Sequence, residues 1–289
     1  MKIAFIGTGK MGLPMARHLT AADHQVVGFD ISSIQAEQAR RAGIPVATSL
    51  PEAVQGAKVV FSSMPTDAAF LSVAGQVAEH AESGTIYVDT STVSPAASAQ
   101  AARQLGDRVT YMRVTVSGNN HMAEAAKLTS MVSGPAHAYE QIKPLLSLLG
   151  PKQFYLGEAE QARLMKLVIN LLIAQTSGML AEALTLGKKG GLDWKAMWEV
   201  ITASAVASPI VNAKSAQLSV HDYTPTFTVD QMLKDVGLIL DAGAELRVPL
   251  GLTAMLGQML QGAAAQGFAG EDYAAVIKYA ATNAGLTPD

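Results

Sequence analysis

Through the first half of the chain, short apolar runs alternate with amphipathic stretches. The runs KIAFIG, QVVGFD, AKVVFSSM and GTIYVDTS are rich in Val, Ile and Phe and end in small or turn-forming residues. Between them lie segments such as MGLPMARHLTAA and SSIQAEQARRAG, which read as helices. Strands that are apolar throughout and separated by helices predict a parallel sheet covered on both faces. Two more apolar runs follow, VTYMRVTV and LTSMVSG, and KQFYLGE reads as the last strand. From about Gln161 the pattern changes to long helical periodicity. QARLMKLVINLLIAQTSGMLAEALTLGKKGG has no internal Pro and ends in Gly-Gly, a strong helix stop. Further helices are expected at Trp194 to Ala203, Thr228 to Ala244, Gly251 to Gln266 and Tyr273 to Asn283. An α/β domain over residues 1–161 is therefore expected to precede an all-α domain over 162–289.

Composition narrows the function. The chain has 289 residues, of which 49% are hydrophobic and 16% charged, ample for a buried core. Its net charge is -3, and no Lys/Arg run offers the basic face that nucleic acid requires. There is no cysteine, so thiolate chemistry and Cys-based metal sites are excluded, and the six His show no metal-ligand spacing. The N-terminal run MKIAFIG is too short for a signal peptide. Val248 to Gly270 carries no charge, but Gln258, Gln261, Gln266 and several Gly make it too polar and broken for lipid. It reads as a helix buried in the protein or at a subunit contact. A soluble, cytoplasmic protein that acts on neither nucleic acid nor membrane is expected.

IGTGKMG places Gly7, Gly9 and Gly12 at the GxGxxG spacing, directly after a strand and before a helix. Gly7 permits the tight turn, Gly9 lets the backbone approach a pyrophosphate, and Gly12 lets the helix pack close to the strand. Thr8, Lys10 and Met11 complete this candidate cofactor turn, and the helix N-terminus offers N–H groups to the phosphates. The second strand ends in Asp30, where a carboxylate accepts from the adenosine 2′-hydroxyl and repels a 2′-phosphate. Ile31, Ser32 and Ser33 follow it and supply no Arg, so NAD is favoured over NADP. Lys166 and Asn170 stand four apart in an otherwise apolar helix and share a face. A Lys there needs a partner, a lowered pKa or access to a cleft; alternatively it snorkels from the rim of the helix.

Taken together, these motifs resemble the β-hydroxyacid dehydrogenases, the group of 3-hydroxyisobutyrate dehydrogenase and tartronate semialdehyde reductase. The matching pieces are GTGKMGLPMA, SSMP at Ser62 to Pro65, DTSTVSP at Asp89 to Pro95 and VSG at Val116 to Gly118. KLVINLL at Lys166 to Leu172 and FTVDQMLKDVGL at Phe227 to Leu238 follow in the expected order. The resemblance implies a Rossmann domain, a long interdomain helix and a helical C-terminal domain. The hydrophobic helix array and the uncharged Val248 to Gly270 segment of that domain need covering, so a homodimer or homotetramer is expected. The resemblance also implies hydride transfer between a nicotinamide and a small carboxylate substrate, a β-hydroxy acid or its carbonyl counterpart. Lys166 matches the family's catalytic lysine, and Asn170 the asparagine that helps hold the substrate. Met64 and Pro65 would touch the cofactor ribose, and Ser91 and Thr92 would lie near the nicotinamide. Ser117 and Gly118 would offer hydroxyl and backbone N–H donors to the substrate carboxylate, and Asn119, with His121, would read a larger or more polar substituent than a methyl group. Lys234, with Asp235 beside it, matches the pair lining the cleft from the helical side.

The polar stretch VSGNNHMAEAAKLTSMVSG, Val116 to Gly134, also departs from the family. The usual Asp-Ala-Pro-Val-Ser-Gly-Gly is here Arg113-Val114-Thr115-Val116-Ser117-Gly118-Asn119. Asn119 puts an amide where the family keeps bare backbone, Arg113 reverses a charge, and Asn120 and His121 follow. The small Ser-Gly region of the helical half reads SAVASP at Ser204 to Pro209. These changes bear on the substrate. An imine reductase, which shares this architecture, and a non-catalytic dinucleotide-binding protein are the competing readings. Lys166 counts against both, and Ser117-Gly118 against the first.

Overall fold

Alternation with a period of two decides where each strand's side chains go. Ile3 and Phe5 enter one core layer with Met15 and Leu19, while Ala4 and Ile6 enter a second layer with Val54 and Phe70. In the first layer Phe5 stacks on Phe61, with ring centroids 5.7 Å apart. Both faces of the sheet are thus covered, as the uniformly apolar strands require. The computed structural model describes residues 1–287.

The first elements are β1 (Lys2–Ile6), α1 (Gly12–Ala21), β2 (Gln25–Phe29), α2 (Ser33–Arg41), α3 (Leu50–Val54) and β3 (Val59–Ser62). They are followed by α4 (Asp67–His80), β4 (Ile86–Asp89), α5 (Pro95–Leu105), β5 (Thr110–Ser117) and α6 (Asn120–Glu124). β6 (Thr129–Ser133), α7 (Ala136–Ser147) and β7 (Lys152–Tyr155) complete a 7-stranded sheet of order β2-β1-β3-β4-β5-β6-β7. All seven expected strands are present. Two run against expectation: β6 is antiparallel to β5, and β7, parallel to β6, shares its reversed direction. The connection over 118–128 holds only the short α6, less chain than a parallel crossover needs. The order reverses around β1, between β2 and β3, which is the switch point where open α/β sheets bind ligands.

α8 (Gln161–Lys189) begins in this first unit, Met1–Lys166, and continues into the second, Leu167–Asp289. It is long and apolar enough by composition to cross a membrane, and 39% of its most apolar stretch is buried inside the protein. The second unit adds α9 (Trp194–Ala203), α10 (Pro209–Leu218), α11 (Val229–Glu245), α12 (Gly251–Ala263) and α13 (Val276–Asn283). Ala181, Trp198, Leu218, Met232, Leu256 and Val276 represent its core.

Thr228 caps α11 instead of joining it, in a reciprocal capping box with Gln231. α12 stops at Ala263, short of the expected Gln266, and passes into a π-helical turn over Ala264–Phe268, where Gly267 adopts φ 97°. A 3-10 turn, Tyr273–Ala275, opens the last expected helix. α10 lies outside the expected helices, although Ser208-Pro209 is a cap followed by Pro at the first helical position. In the uncharged Val248 to Gly270 segment, Leu256 and Leu260 are buried while Leu252 and Met255 are exposed.

Candidate active site

The strand-to-helix turn is built around its glycines. Gly7 has φ 85°, and its N–H donates to the Phe29 carbonyl at 2.8 Å. A Cβ on Gly12 would lie 1.9 Å from the Gly7 carbonyl oxygen, so only glycine lets α1 start here. A Cβ on Gly9 would meet nothing within 4 Å, so the backbone there is open to an approaching group. α1 has neither a side-chain cap nor an acidic residue in its first turn; its Leu13 N–H donates to the Gly9 carbonyl at 3.0 Å and Pro14 has none, which leaves the Gly12 N–H at its very start to an anion. Lys10 is exposed beside this turn and Met11 half-buried. Asp30 accepts the Thr8 N–H at 2.8 Å and the Ser32 N–H at 2.9 Å, which fixes its carboxylate beside the turn. An open Gly9, an uncapped helix N-terminus and a held carboxylate together fit a dinucleotide.

The next strands end along the same edge. A Cβ on Gly7 would clash with Met64 and Ser63, so the loop after β3 lies against the turn. The Met64 N–H donates to Ser91 Oγ at 2.7 Å, joining that loop to the one after β4. Ser91 Oγ donates to Asp89 at 2.6 Å, and Ser62 Oγ donates to the same carboxylate at 2.5 Å. Asp89 is fully buried, and Arg163 is its counterion. Burial raises the Tyr87 phenol well above its ordinary pKa and that of Tyr111 as well, so both hydroxyls keep their protons for this network. Pro65 is exposed and Thr92 half-buried on these loops.

Ser117 closes β5 and Gly118 follows at φ 136°, where a Cβ would press on Leu128 at 2.8 Å. The Asn119 side chain turns back: its Oδ1 accepts the Met122 N–H at 3.0 Å and caps α6. His121 is exposed, 4.0 Å from Glu124. His18, on α1, hydrogen-bonds the Ala123 carbonyl at 2.9 Å and ties α6 to the cofactor helix. Arg113 is buried in β5, doubly bonded to Glu160 at 2.8 and 2.6 Å and stacked 4.3 Å over Tyr111. Its reversed charge is thus matched inside the first unit.

α8 carries Lys166 half-buried and Asn170 buried, one turn apart on the same helix. Within the second unit, Asn170 Nδ2 donates to Asp235 Oδ2 at 2.6 Å, and Lys234 Nζ lies 3.1 Å from Asp235 Oδ1. Asp235, 2% exposed, therefore organises both side chains. Gly7, Thr8, Asp30, Met64 and Ser91 are joined by contacts in the first unit; Asn170 and Lys234 meet through Asp235 in the second. The residue that sequence reasoning passed over is Arg163. It is as anomalous in the apolar helix as Lys166, three positions away, and that was the available signal. Asp89, quoted only as part of a motif, is its partner.

Known proteins match this chain along nearly its whole length. A family model described as the NAD binding domain of 6-phosphogluconate dehydrogenase matches residues 2–157. Another, described as NAD-binding of NADP-dependent 3-hydroxyisobutyrate dehydrogenase, matches residues 161–280. The chain is 35% identical over 283 residues to 2-(hydroxymethyl)glutarate dehydrogenase of Eubacterium barkeri, covering 96% of this chain and 94% of that one. It is 32% identical over 293 residues to the NAD-dependent L-serine dehydrogenase of Pseudomonas aeruginosa, covering 96% and 97%. The solved structure of Mycobacterium tuberculosis 3-hydroxyisobutyrate dehydrogenase with L-serine is similar at a TM-score of 0.89 and 30% identity, covering 96% and 97%.

Proposed function

The chain belongs to the β-hydroxyacid dehydrogenase family and is an NAD(P)-dependent oxidoreductase of CH–OH groups, and within that class we propose that it moves hydride between NAD and a small β-hydroxy acid, with Lys166 as proton carrier. The observation that carries this reading is Lys166 one turn before Asn170 on α8, with the Asn170 amide held by buried Asp235. When bound, the nicotinamide supplies hydride in reduction and takes it up in oxidation. In reduction, Lys166 Nζ gives a proton to the developing alkoxide oxygen, and its charge stabilises that oxygen. In oxidation, the neutral amine takes the hydroxyl proton. Asn170 keeps a second amide N–H with which to orient the reacting oxygen.

The other groups follow their chemistry. Gly7, Thr8, Gly9, Lys10, Met11 and Gly12 hold the pyrophosphate, and Asp30 takes the adenosine ribose. A carboxylate there, followed by the 94% exposed Ile31 and no Arg, supports NAD over NADP. Met64 and Pro65 border the other ribose, and Ser91 and Thr92 the nicotinamide. Lys234, paired with Asp235, adds a positive charge toward cofactor or substrate. Ser117 Oγ and the Gly118 N–H receive the substrate carboxylate. Asn119, its oxygen engaged in the cap, retains amide donors for a polar substituent.

The acids in the relatives' names, 2-(hydroxymethyl)glutarate, L-serine and 3-hydroxyisobutyrate, share the unit HOCH2–CHR–COO⁻. We assign the substrate to that class. The second unit carries an exposed stripe, with Leu172 61%, Met179 62% and Leu186 77% accessible, at intervals of seven residues along α8. An apolar stripe of this kind calls for a cover, and a second copy in a homo-oligomer is the proposed one. A soluble protein accounts for α8 better than a membrane span does, because the helix starts with buried Arg163 and carries Lys166, Asn170 and Glu182.

The test is NADH and NADPH formation from those three acids at equal concentration. Turnover of at least one, faster with NAD, is expected. Reduction of cyclic imines with no oxidation of any acid would overturn the reading.

A further inference from the structure

Arg163 lies in the first turn of α8, one turn before Lys166, and is only 1% exposed. Its guanidinium reaches four partners. It donates to the Ser91 carbonyl at 2.6 Å, to the Tyr111 hydroxyl at 2.8 Å, to Ser98 Oγ at 3.3 Å and to the Asp89 carboxylate. Through Asp89 the same network reaches Ser62 at the end of β3 and Ser91 after β4, and through Ser91 the Met64 backbone. One buried ion pair thus ties the start of the lysine helix to both loops expected at the nicotinamide end.

Stability alone does not account for such a pair. Desolvating two charges offsets most of their attraction, and apolar residues of equal volume are commonly as stable. What apolar residues cannot supply is direction. A planar fork with four directed bonds permits one rotation of α8 and one height over β4. The neighbouring anchors hold the same turn: Thr115 Oγ1 donates to the Ala162 carbonyl at 2.9 Å, and the Ala162 N–H donates to Ser133 Oγ at 3.2 Å.

We propose that Asp89 and Arg163 are a positioning pair that sets Lys166 against the loops carrying Pro65, Ser91 and Thr92. The proposal rests on the role of Lys166 as proton carrier. Neither member of the pair touches the reacting atoms. Both act through geometry, and a shift of about 1 Å in a reacting group costs on the order of 100-fold in rate.

The test compares wild type, Arg163→Lys and Lys166→Met with whichever of the three acids turns over fastest. It reads kcat, the isotope effect on kcat with the acid deuterated at the carbinol carbon that gives up the hydride, NADH affinity by fluorescence without substrate, and melting temperature. In Arg163→Lys, kcat is expected to fall about 30- to 100-fold, and the isotope effect to rise as hydride transfer becomes limiting. NADH affinity should stay within about threefold, because the adenosine half is held at the Gly7–Gly12 turn. A purely structural role would lower the melting temperature and leave the isotope effect unchanged. Should Arg163→Lys fail to fold, Tyr111→Phe removes one partner of the same fork and is expected to move kcat and isotope effect in the same direction by less. A folded variant with wild-type kcat and isotope effect overturns the pair's role while Lys166→Met stays inactive. If Lys166→Met itself retains wild-type kcat, the lysine mechanism fails, and the positioning role with it.

Discussion

A Cβ on Gly12 would stand 1.9 Å from the Gly7 carbonyl oxygen, whereas one on Gly9 would meet nothing within 4 Å. These glycines therefore answer to different demands, one from the fold and one from the ligand. Gly12→Ala forces α1 off β1 and is expected to cost about 1–3 kcal/mol or more, as overpacking does. Gly9→Ala is expected to melt with wild type but bind NADH at least about tenfold more weakly, because its methyl group stands where a phosphate approaches the backbone. Thermal melts and NADH fluorescence titrations separate the two. Equal effects of both substitutions on melting temperature would contradict this division. The motif was legible in the sequence; that Gly9 alone faces open space was not, because it depends on where the chain returns at Ser63 and Met64.

Capping and pairing decide the elements around the polar loop. Asn119 holds α6 by accepting the Met122 N–H. Asn119→Ala is expected to cost about 1 kcal/mol and Asn119→Gly only a few tenths, measurable by denaturant titration. Equal costs would mean that the cap contributes nothing. Arg113 invites a reading as a substrate-carboxylate reader, yet it is paired with Glu160 inside the first unit. Arg113→Met leaves Glu160, which is 22% exposed at its side chain, without its counterion. The expected result is a loss of about 2 kcal/mol, discounted from the buried-pair range for that exposure, with the KM for the acid unchanged. A tenfold rise in KM at unchanged stability would make Arg113 a ligand after all. Spacing placed the strands and the long helix, since periodicity reports which faces are buried. It could not reveal that β6, and β7 with it, run opposite to the other strands, which follows from the short connection between β5 and β6. Nor could it pair Arg163 with Asp89 across 74 positions.

At the scale of the whole molecule, the second unit exposes more large apolar surface than scattered surface residues account for. Leu172, Met179 and Leu186 form a stripe, and Leu252 and Met255 on α12 are 76% and 62% exposed. Sedimentation equilibrium is expected to give a dimer or tetramer, and the triple change Leu172→Lys, Met179→Lys, Leu186→Lys to give a smaller, folded species. An unchanged mass in the triple variant would place the interface elsewhere. The sequence made the two-part architecture and the dinucleotide turn plain, because strand-helix alternation and glycine spacing are local patterns. The substrate stayed hidden, because its recognition depends on which way side chains such as Asn119 and Arg113 turn.

The most direct measurement is kcat and NADH affinity for wild type and Lys166→Met with the preferred HOCH2–CHR–COO⁻ acid. Loss of general acid–base catalysis predicts a fall in kcat of about 10²- to 10⁴-fold with NADH affinity within about threefold of wild type. A variant that keeps kcat within about tenfold would contradict the account and move the proton to another group.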